Sequence, residues 1–249
     1  MPKLHRCAVR LLAIGCIVFC AARARAGTLI SNGGFEANGG SLTGWTVDLA
    51  AGSGGGWYLQ SGNAPQFNTS VFVPSPPEGS YAAMTDGNGP GSQSLLQTFT
   101  VPLNATSVDL SFDYFLLIPD SSDFVNPDTL DYTVNGNEQA RVDLLTASAG
   151  AFDMDAAVVL NLFQTDPGDP NQYSNYLTFS QDIASSVTPG GTYQLRFAEA
   201  DNLGTLLFGV DDVVVTTRLS PNPVPEPGTV WMVALGIGIA AGWRRARRG

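Results

Sequence analysis

The amino-acid sequence predicts an all-β, jelly-roll β-sandwich over residues 27–218, and three observations support this fold class. Apolar and polar residues alternate with a period of two in several segments, as expected of half-buried strands. The connecting segments are long and rich in glycine, asparagine, proline and aspartate, which favours turns. Apart from the two chain ends, no segment keeps a helical period for long.

Four segments are the clearest strands. Residues 108–116 ("VDLSFDYFL") and 192–200 ("TYQLRFAEA") place apolar side chains at every second position. Residues 95–101 ("LLQTFTV") and 208–217 ("FGVDDVVVTT") are rich in the β-branched and aromatic residues that favour strands. Together these segments supply enough apolar residues to cover both inner faces of a sandwich.

The dipeptide Asn135-Gly136 predicts a β-hairpin, since both residues tolerate the positive φ of a tight turn. A strand over residues 130–134 would enter this turn, and a strand around Val142 would leave it. The run over residues 151–163 is ambiguous between helix and strand. Its second half is rich in β-branched residues and favours a strand.

The first 26 residues have the features of a cleaved secretory signal. Three basic residues precede an apolar stretch over residues 11–22, and Ala-Arg-Ala at 24–26 offers the small residues that signal peptidase accepts. We therefore expect export by the Sec route. A lipoprotein signal ending at Cys20 is the alternative, but the bulky Phe19 before it is unsuited to that processing.

The C-terminal end predicts a proline-rich linker over residues 219–228 and a transmembrane segment with a basic tail over 229–249. The apolar run 230–243, as a helix, would span about 21 Å, which is short of the roughly 30 Å hydrocarbon core. Tryptophans at both ends of this run suit the two interfaces. A buried or amphipathic helix is the alternative, but the run has no polar face. The cytoplasmic side would hold Arg244, Arg245, Arg247 and Arg248.

The triplet Pro225-Glu226-Pro227, followed by the hydrophobic segment and the arginine cluster, resembles a PEP-CTERM sorting signal. The resemblance covers only this end of the chain. It implies that an exosortase, a membrane transpeptidase-like enzyme of bacteria that make exopolysaccharide, recognises and removes the tail. The protein would then be anchored in the membrane transiently and pass to the cell surface or the extracellular (biofilm) matrix.

The chain between its two ends is strongly acidic. It holds all but one of the 22 acidic residues but only three basic ones, Arg141, Arg196 and Arg218. This balance disfavours nucleic acid and anionic lipid as partners and favours divalent cations.

Several catalytic groups occur only in the predicted signal peptide, namely Cys7, Cys16, Cys20, His5 and Lys3. The exported form would therefore lack thiolate, imidazole and lysine chemistry, which removes most hydrolase and zinc-enzyme sites. Carboxylates remain, so a glycoside-active enzyme with two acids is the catalytic alternative. We expect a protein that is not an enzyme.

A second resemblance extends over the body. The segments "LISNGGFE", "PEGSYAAMTDG", "LLQTFTVP", "GGTYQLRFAEAD" and "FGVDDVVV" are similar, in this order, to the galactose-binding-like jelly roll of carbohydrate-binding modules. The resemblance implies a structural calcium ion where the first and last strands meet. Glu36 and Asp211 would be its carboxylate ligands, with Asp212 a weaker candidate. The alternative is a turn-capping glutamate beside a surface aspartate pair.

Carbohydrate binding requires an exposed aromatic ring beside polar groups. Trp57, in glycine-rich surroundings, is predicted to be that ring, whereas Trp45 is expected in the core. Tyr173 and Tyr176 form a second candidate site. The other members of the Trp57 site are Tyr58, Gln60, Asn63 and Asp86.

These observations predict an exported, non-catalytic protein that binds extracellular polysaccharide. A structural surface protein without glycan affinity is the alternative, and burial of Trp57 would favour it. The acidic segment 120–131 lacks the spacing and central glycine of an EF-hand, so we expect it to be a solvated loop.

Overall fold

The structure is a computed structural model that describes residues 27–65, 71–120 and 122–220. The predicted signal peptide, the linker beyond residue 220 and the predicted transmembrane segment lie outside these residues. Within the described part of the chain, no helix is long and apolar enough to cross a membrane.

The described residues form ten strands, numbered in chain order, and two short 3₁₀ turns, Ala37–Gly39 and Asp155–Ala157. The strands are β1 Thr46–Leu49, β2 Trp57–Ser61, β3 Tyr81–Thr85, β4 Gly91–Thr100, β5 Ala105–Leu117, β6 Glu138–Thr146, β7 Val158–Gln164, β8 Leu177–Asp182, β9 Thr192–Asp201 and β10 Leu207–Leu219. The four clearest predicted strands correspond to β4, β5, β9 and β10.

The strands form two five-stranded antiparallel sheets. The β9 sheet has the order β1-β4-β9-β6-β7, and the β10 sheet has the order β2-β3-β10-β5-β8. Strands β3 to β6 pair antiparallel with strands β10 to β7 in reverse order, as β3·β10, β4·β9, β5·β8 and β6·β7. The eight strands thus form one long antiparallel hairpin whose pairs alternate between the two sheets. This wrapping is the jelly-roll topology, so the predicted fold class is confirmed.

The core lies between the sheets and follows the predicted alternation. Phe112 and Leu116 of β5 face Leu195 and Phe197 of β9, and all four are at most 1% exposed. The rings of Phe112 and Phe197 meet edge to face with centroids 5.2 Å apart. Burial of each such side chain contributes about 1.5–3 kcal/mol relative to exposure.

The prediction of a hairpin at Asn135-Gly136 is wrong for the strand that would enter the turn. Residues 130–134 form no strand. Leu130 is instead buried against Ala198 and Ala200 on the outer face of β9, since tertiary packing outweighs the local turn signal. The return strand exists as β6, and the second half of the ambiguous run 151–163 is β7.

A buried ion cluster fixes a loop on the same outer face. Asp143 of β6 bridges two guanidinium groups, with its carboxylate oxygens 2.6 Å from Arg196 Nη2 and 2.8 Å from Arg141 Nη2. Arg196 is fully buried and also donates to the carbonyl oxygens of Ala151 and Asp153, at 3.0 and 2.8 Å. The loop after β6 is therefore held against the β9 sheet.

Candidate functional site

Trp57 is not the exposed sugar platform that the sequence predicts. Its side chain is 3% exposed and packs edge-on against Phe208 with ring centroids 5.4 Å apart. The reason is the register of β2, which pairs with β3 and turns Trp57 and Leu59 toward the core. Trp45 lies in the core, as expected, and is 8% exposed.

The polar members of the predicted site serve the fold. Gln60 is 1% exposed, donates through Nε2 to Pro74 O at 2.6 Å, and accepts the Tyr176 hydroxyl at 2.6 Å. Asp86 is 5% exposed and accepts the Gly56 N–H at 3.2 Å. Neither side chain is open to a ligand, so the prediction of both as sugar contacts is wrong.

Among the remaining aromatic candidates, Tyr173 and Tyr176 lie in one apolar cluster, where both are at least partly buried. Tyr58 is half-buried on the outward side of β2, and Asn63 is exposed in the following loop. Tyr176 is buried against Phe115, with ring centroids 5.7 Å apart. Tyr173 is half-buried beside Tyr114, at 5.9 Å.

A polar cleft lies elsewhere, on the outer face of the β9 sheet. It has a volume of about 470 Å³ and opens between β1 and the loop after β6. Thr46 and Asp48 of β1 pair with β4 and, like Thr98 of β4, are exposed. Sequence reasoning missed these residues because a four-residue edge strand carries little alternation, and its pairing with β4 is not local. The polar lining includes Ser31, Thr46, Asp48, Gln97, Thr98 and Gln194.

Both walls of this cleft are held by side-chain amides. Gln194 donates through Nε2 to Ala147 O and Ala149 O, at 3.1 and 3.0 Å, and so ties the loop to β9. Gln97 accepts the Ser31 N–H at 2.6 Å and donates back to Ser31 O at 2.9 Å. The cleft is therefore preformed, as ligand sites usually are.

The residues predicted to hold calcium lie where the N-terminal segment meets β10. Leu29 N donates to Val215 O at 2.7 Å, and Val213 N donates to Gly33 O at 3.1 Å. Glu36 Oε1 accepts the N–H groups of Ser80 and of Tyr81, the first residue of β3, at 2.6 and 2.7 Å. This part of the geometry matches the alternative of a turn-capping glutamate.

Asp211 is fully buried, unlike a surface aspartate. Its oxygens accept the Glu78 and Asp212 N–H groups at 3.2 and 2.8 Å. Burial raises the pKa of Asp211 to about 7, and the charges of Glu78 and Asp212 add to that effect. Both ion pairs found in the described residues involve Asp143, so Asp211 has no cationic side chain beside it.

Glu78 joins this site, although sequence reasoning did not select it. A Cβ built on Gly34 would lie 2.3 Å from Glu78 Oε2 and 3.9 Å from Asp211 Oδ1, so a glycine is what leaves room for these carboxylates. Asp212, by contrast, is exposed at a β-bulge with φ +44°. We give the site the name Asp211 site, defined by Glu36, Glu78 and Asp211.

The oxygen donors of the Asp211 site fit a hard cation such as Ca²⁺. A buried carboxylate without a cationic partner is costly, and a bound divalent ion would compensate it. Across the described ranges, no three acidic side chains already surround one point as metal ligands do.

The acidic segment 120–131 is exposed at its four aspartates, in agreement with a solvated loop. Asp120 accepts the Thr205 N–H at 2.9 Å, and Asp123 accepts the Asn171 side-chain amide at 2.9 Å. These bonds tie the loop to neighbouring segments.

Comparison with known families finds one match, to the PEP-CTERM protein-sorting motif at residues 223–248. The motif indicates an exported surface protein that an exosortase processes. No curated protein matches the sequence.

Among solved structures, the chain is similar to a carbohydrate-binding module, TmCBM61, solved in complex with β-1,4-galactotriose (12% identity, TM-score 0.45), over 77% of this chain and 99% of that one. It is also similar to the enzymatically active domain of tailspike protein 4 of bacteriophage CBA120 (13% identity, TM-score 0.45), over 76% of this chain but only 21% of that one. A third is a Stig cyclase from Fischerella sp. TAU (16% identity, TM-score 0.44), over 79% of this chain and 100% of that one. Likeness at this level does not extend to a ligand or a reaction.

Proposed function

We propose that this protein is a non-catalytic module of the cell surface or extracellular matrix that binds extracellular polysaccharide in the cleft between β1 and the loop after β6. The observation that carries the proposal is the cleft itself, a preformed, open cavity of about 470 Å³ with polar side chains along its length. Hydroxyl, amide and carboxylate groups are the partners that sugar hydroxyl groups require.

Delivery follows from the two chain ends. The signal over residues 1–26 directs export by the Sec route, and the segment 229–249 holds the protein in the membrane until an exosortase cleaves near Pro225. The marginal length of the apolar run suits an anchor that is used transiently. The mature protein then begins near Gly27 and is strongly acidic, which favours solubility in the matrix.

The lining of the cleft supports binding rather than hydrolysis. Asp48 is the carboxylate that reaches it. A glycosidase of the usual kind needs two carboxyl groups across the scissile bond. The aromatic residues that usually stack on sugars are not part of this lining in the described residues, so each contact would be a hydrogen bond and affinity would come from repeated sugar units along a polymer.

The Asp211 site would hold a structural calcium ion. Asp211 and Glu78 would supply carboxylate oxygens, and Glu36 would fix the segment that carries Glu78. The ion would compensate the buried charge of Asp211 and join the N-terminal segment to β10. Chelation should therefore lower the melting temperature of the full-length protein, and Asp211→Asn should reduce that response by the part that this site contributes. Equal melting temperatures in calcium and chelator, with the wild-type protein binding no calcium, would refute this site.

Affinity gel electrophoresis of the full-length protein tests the binding proposal. Gels would contain a range of polysaccharides, including exopolysaccharide from the producing cells. Thr98→Trp should fill the cleft and abolish retardation, because Thr98 is exposed in its floor. Thr100→Trp is the matched control, since Thr100 is exposed on the same strand and face but outside the lining. Equal retardation of both variants would reject the cleft as the site.

The second candidate is a structural surface protein without glycan affinity. Burial of both Trp45 and Trp57 favours it, because the tryptophans of the described residues offer no open ring for a sugar. If the wild-type protein is not retarded by any polysaccharide, including that of the producing cells, this candidate replaces the first.

A further inference from the structure

A second group of buried acids lies at the other end of β3, away from the Asp211 site. Three inward-facing side chains on two neighbouring strands form it, namely Glu138 of β6 and Glu199 and Asp201 of β9. All three are fully buried. Glu138 and Asp201 are directly opposite each other in the strand register, which places two like charges at the closest cross-strand position.

Hydrogen bonds satisfy both carboxylate oxygens of Glu199. The opposed pair, Glu138 and Asp201, has fewer hydrogen-bond donors than acceptor oxygens. Glu199 accepts the Gln93 side-chain amide at 2.6 Å and the Thr85 hydroxyl at 2.9 Å, one on each oxygen. Glu138 accepts two backbone N–H groups on Oε2, but its Oε1 is buried without a partner. Both carboxylate oxygens of Asp201 are likewise buried without a well-aligned hydrogen bond, although the Gly91 N–H is close enough to lower the Asp201 pKa.

The side-chain amide of Gln93, a neutral group, adds a further buried acceptor oxygen to the acidic group. Gln93 is fully buried on β4, and its Nε2 is committed to Glu199, so its amide points into the acidic group. The Gln93 Oε1 has no hydrogen-bond partner. Four buried oxygens on Gln93, Glu138 and Asp201 therefore lack a well-aligned hydrogen-bond donor. Buried acceptors without partners are rare in folded proteins, so a missing ligand is the simplest explanation.

We propose that the opposed carboxylates of Glu138 and Asp201, with the side-chain oxygen of Gln93, bind a divalent cation of the calcium type. Every unsatisfied atom of the group is an oxygen acceptor, and hard cations take such ligands. In the described residues no three acids converge on one point, so the pair would be completed by the amide oxygen and by water. No arginine or lysine is ion-paired with the described members of the group.

An open cavity of about 680 Å³ lies one segment away from the group, and its lining includes Asp120, Asp123 and Leu203. Leu203 donates its N–H to Glu138, and Thr205 donates its N–H to Asp120, so the segment 202–205 separates the cavity from the opposed pair. Two exposed aspartates at the mouth would concentrate cations there.

Protonation is the competing way to neutralise the group. Burial raises the pKa of Glu199, Asp201 and Glu138. Neighbouring negative charges add to that rise, from within the group at Glu199 and Asp201 and from Asp120 at Glu138. A single proton shared by Glu138 and Asp201 would supply one donor and leave the Gln93 oxygen without one. A cation, unlike a single proton, can be shared by several oxygen ligands. We therefore favour a cation as the group that compensates all four oxygens.

Calcium binding by the full-length protein tests this proposal. The Asp211→Asn variant serves as background, because it removes the other candidate site. Equilibrium dialysis would count bound ions at about 10 mM calcium, above the ~10⁻⁴–10⁻³ M dissociation constants of extracellular sites. Melting temperatures in calcium and in chelator would be measured on the same samples. Asp128→Asn is the matched control, since Asp128 is exposed in the acidic loop and takes no part in the group.

We expect one calcium ion per chain in the background variant and a melting temperature that falls on chelation. Adding Asp201→Asn or Glu138→Gln should abolish both effects, whereas adding Asp128→Asn should leave them. In chelator, Asp201→Asn should melt no lower than the background, because it removes an uncompensated charge without changing shape, and this checks that it folds. The proposal is overturned if the background binds no calcium, or if binding survives both acid substitutions. It is also overturned if stability falls from pH 5 to pH 8 equally in calcium and chelator, which is the signature of a proton instead.

Discussion

The substitution Asp143→Asn tests how the loop beside the cleft is anchored. It keeps the shape of the side chain and removes one charge from a buried cluster with two guanidinium groups. Asp143 is fully buried and accepts two bonds from Arg141, at 2.8 Å each, and two from Arg196, at 3.2 and 2.6 Å. Removal of one partner from a buried ion pair costs about 3–5 kcal/mol, because the other charge stays buried without compensation.

A domain of this size loses about 2–4 °C of melting temperature for each kcal/mol, so we expect Asp143→Asn to lower the melting temperature by roughly 6–20 °C. Thermal unfolding of the full-length protein, followed by circular dichroism, measures it. The control is Asp155→Asn, at an exposed position, which should change the free energy of unfolding by less than about 0.5 kcal/mol. A loss below about 1 kcal/mol for Asp143→Asn would refute the buried-cluster argument.

Four further predictions concern Asp143, Trp57, Gly34 and the C-terminal tail. First, burial alone would raise the pKa of Asp143, but the hydrogen bonds and charges of Arg141 and Arg196 hold it below its ordinary value. Its contribution to stability should therefore be complete above about pH 4 and be lost as the pH falls through the lower folded-state pKa, and acid titrations of wild type and Asp143→Asn should converge there. Second, Trp57→Ala should cost about 3–5 kcal/mol of stability but leave polysaccharide retardation intact below its melting temperature; loss of retardation in the folded variant would restore Trp57 as a binding residue. Third, Gly34→Ala should displace the Glu78 carboxylate and abolish the effect of calcium in an Asp201→Asn background, with little change in chelator; an unchanged calcium response would place the ion elsewhere. Fourth, a stop codon before residue 223 should release soluble protein into the medium, and recovery of that form in the membrane fraction would contradict the anchor.

The local alternation of apolar and polar residues was sufficient to predict the main strands. It was insufficient to predict which segments and side chains form the outer surface. The alternation in residues 108–116 predicts which side chains of β5 face the core, because a sheet with one buried face requires that period. The segment 130–134 has the same local pattern, but Leu130 finds a better contact on the outer face of β9. A strand signal therefore does not say whether a strand partner is available.

The candidate sites were harder to predict for the same reason. The resemblance to carbohydrate-binding modules selected Asp211, and an aspartate beside buried valines in a strand also needs compensation. Trp57 could not be placed, because glycine-rich surroundings are typical of both exposed loops and a strand that begins at the core. The cleft depends on pairing of β1 with β4, across more than 40 residues, and on Arg196 holding a distant loop. Neither contact has a sequence signal.

Hydrogen–deuterium exchange of the full-length protein, with and without the polysaccharide that retards it most, tests the binding proposal most directly. Slower exchange should appear in β1, residues 46–49, and in the loop residues 149–151, because these form the walls of the cleft. The β2 and β3 segments, together with Asp86 directly after β3, should be unchanged. Protection confined to those segments, or no protection with any polysaccharide, would contradict the assignment of the cleft as the ligand site.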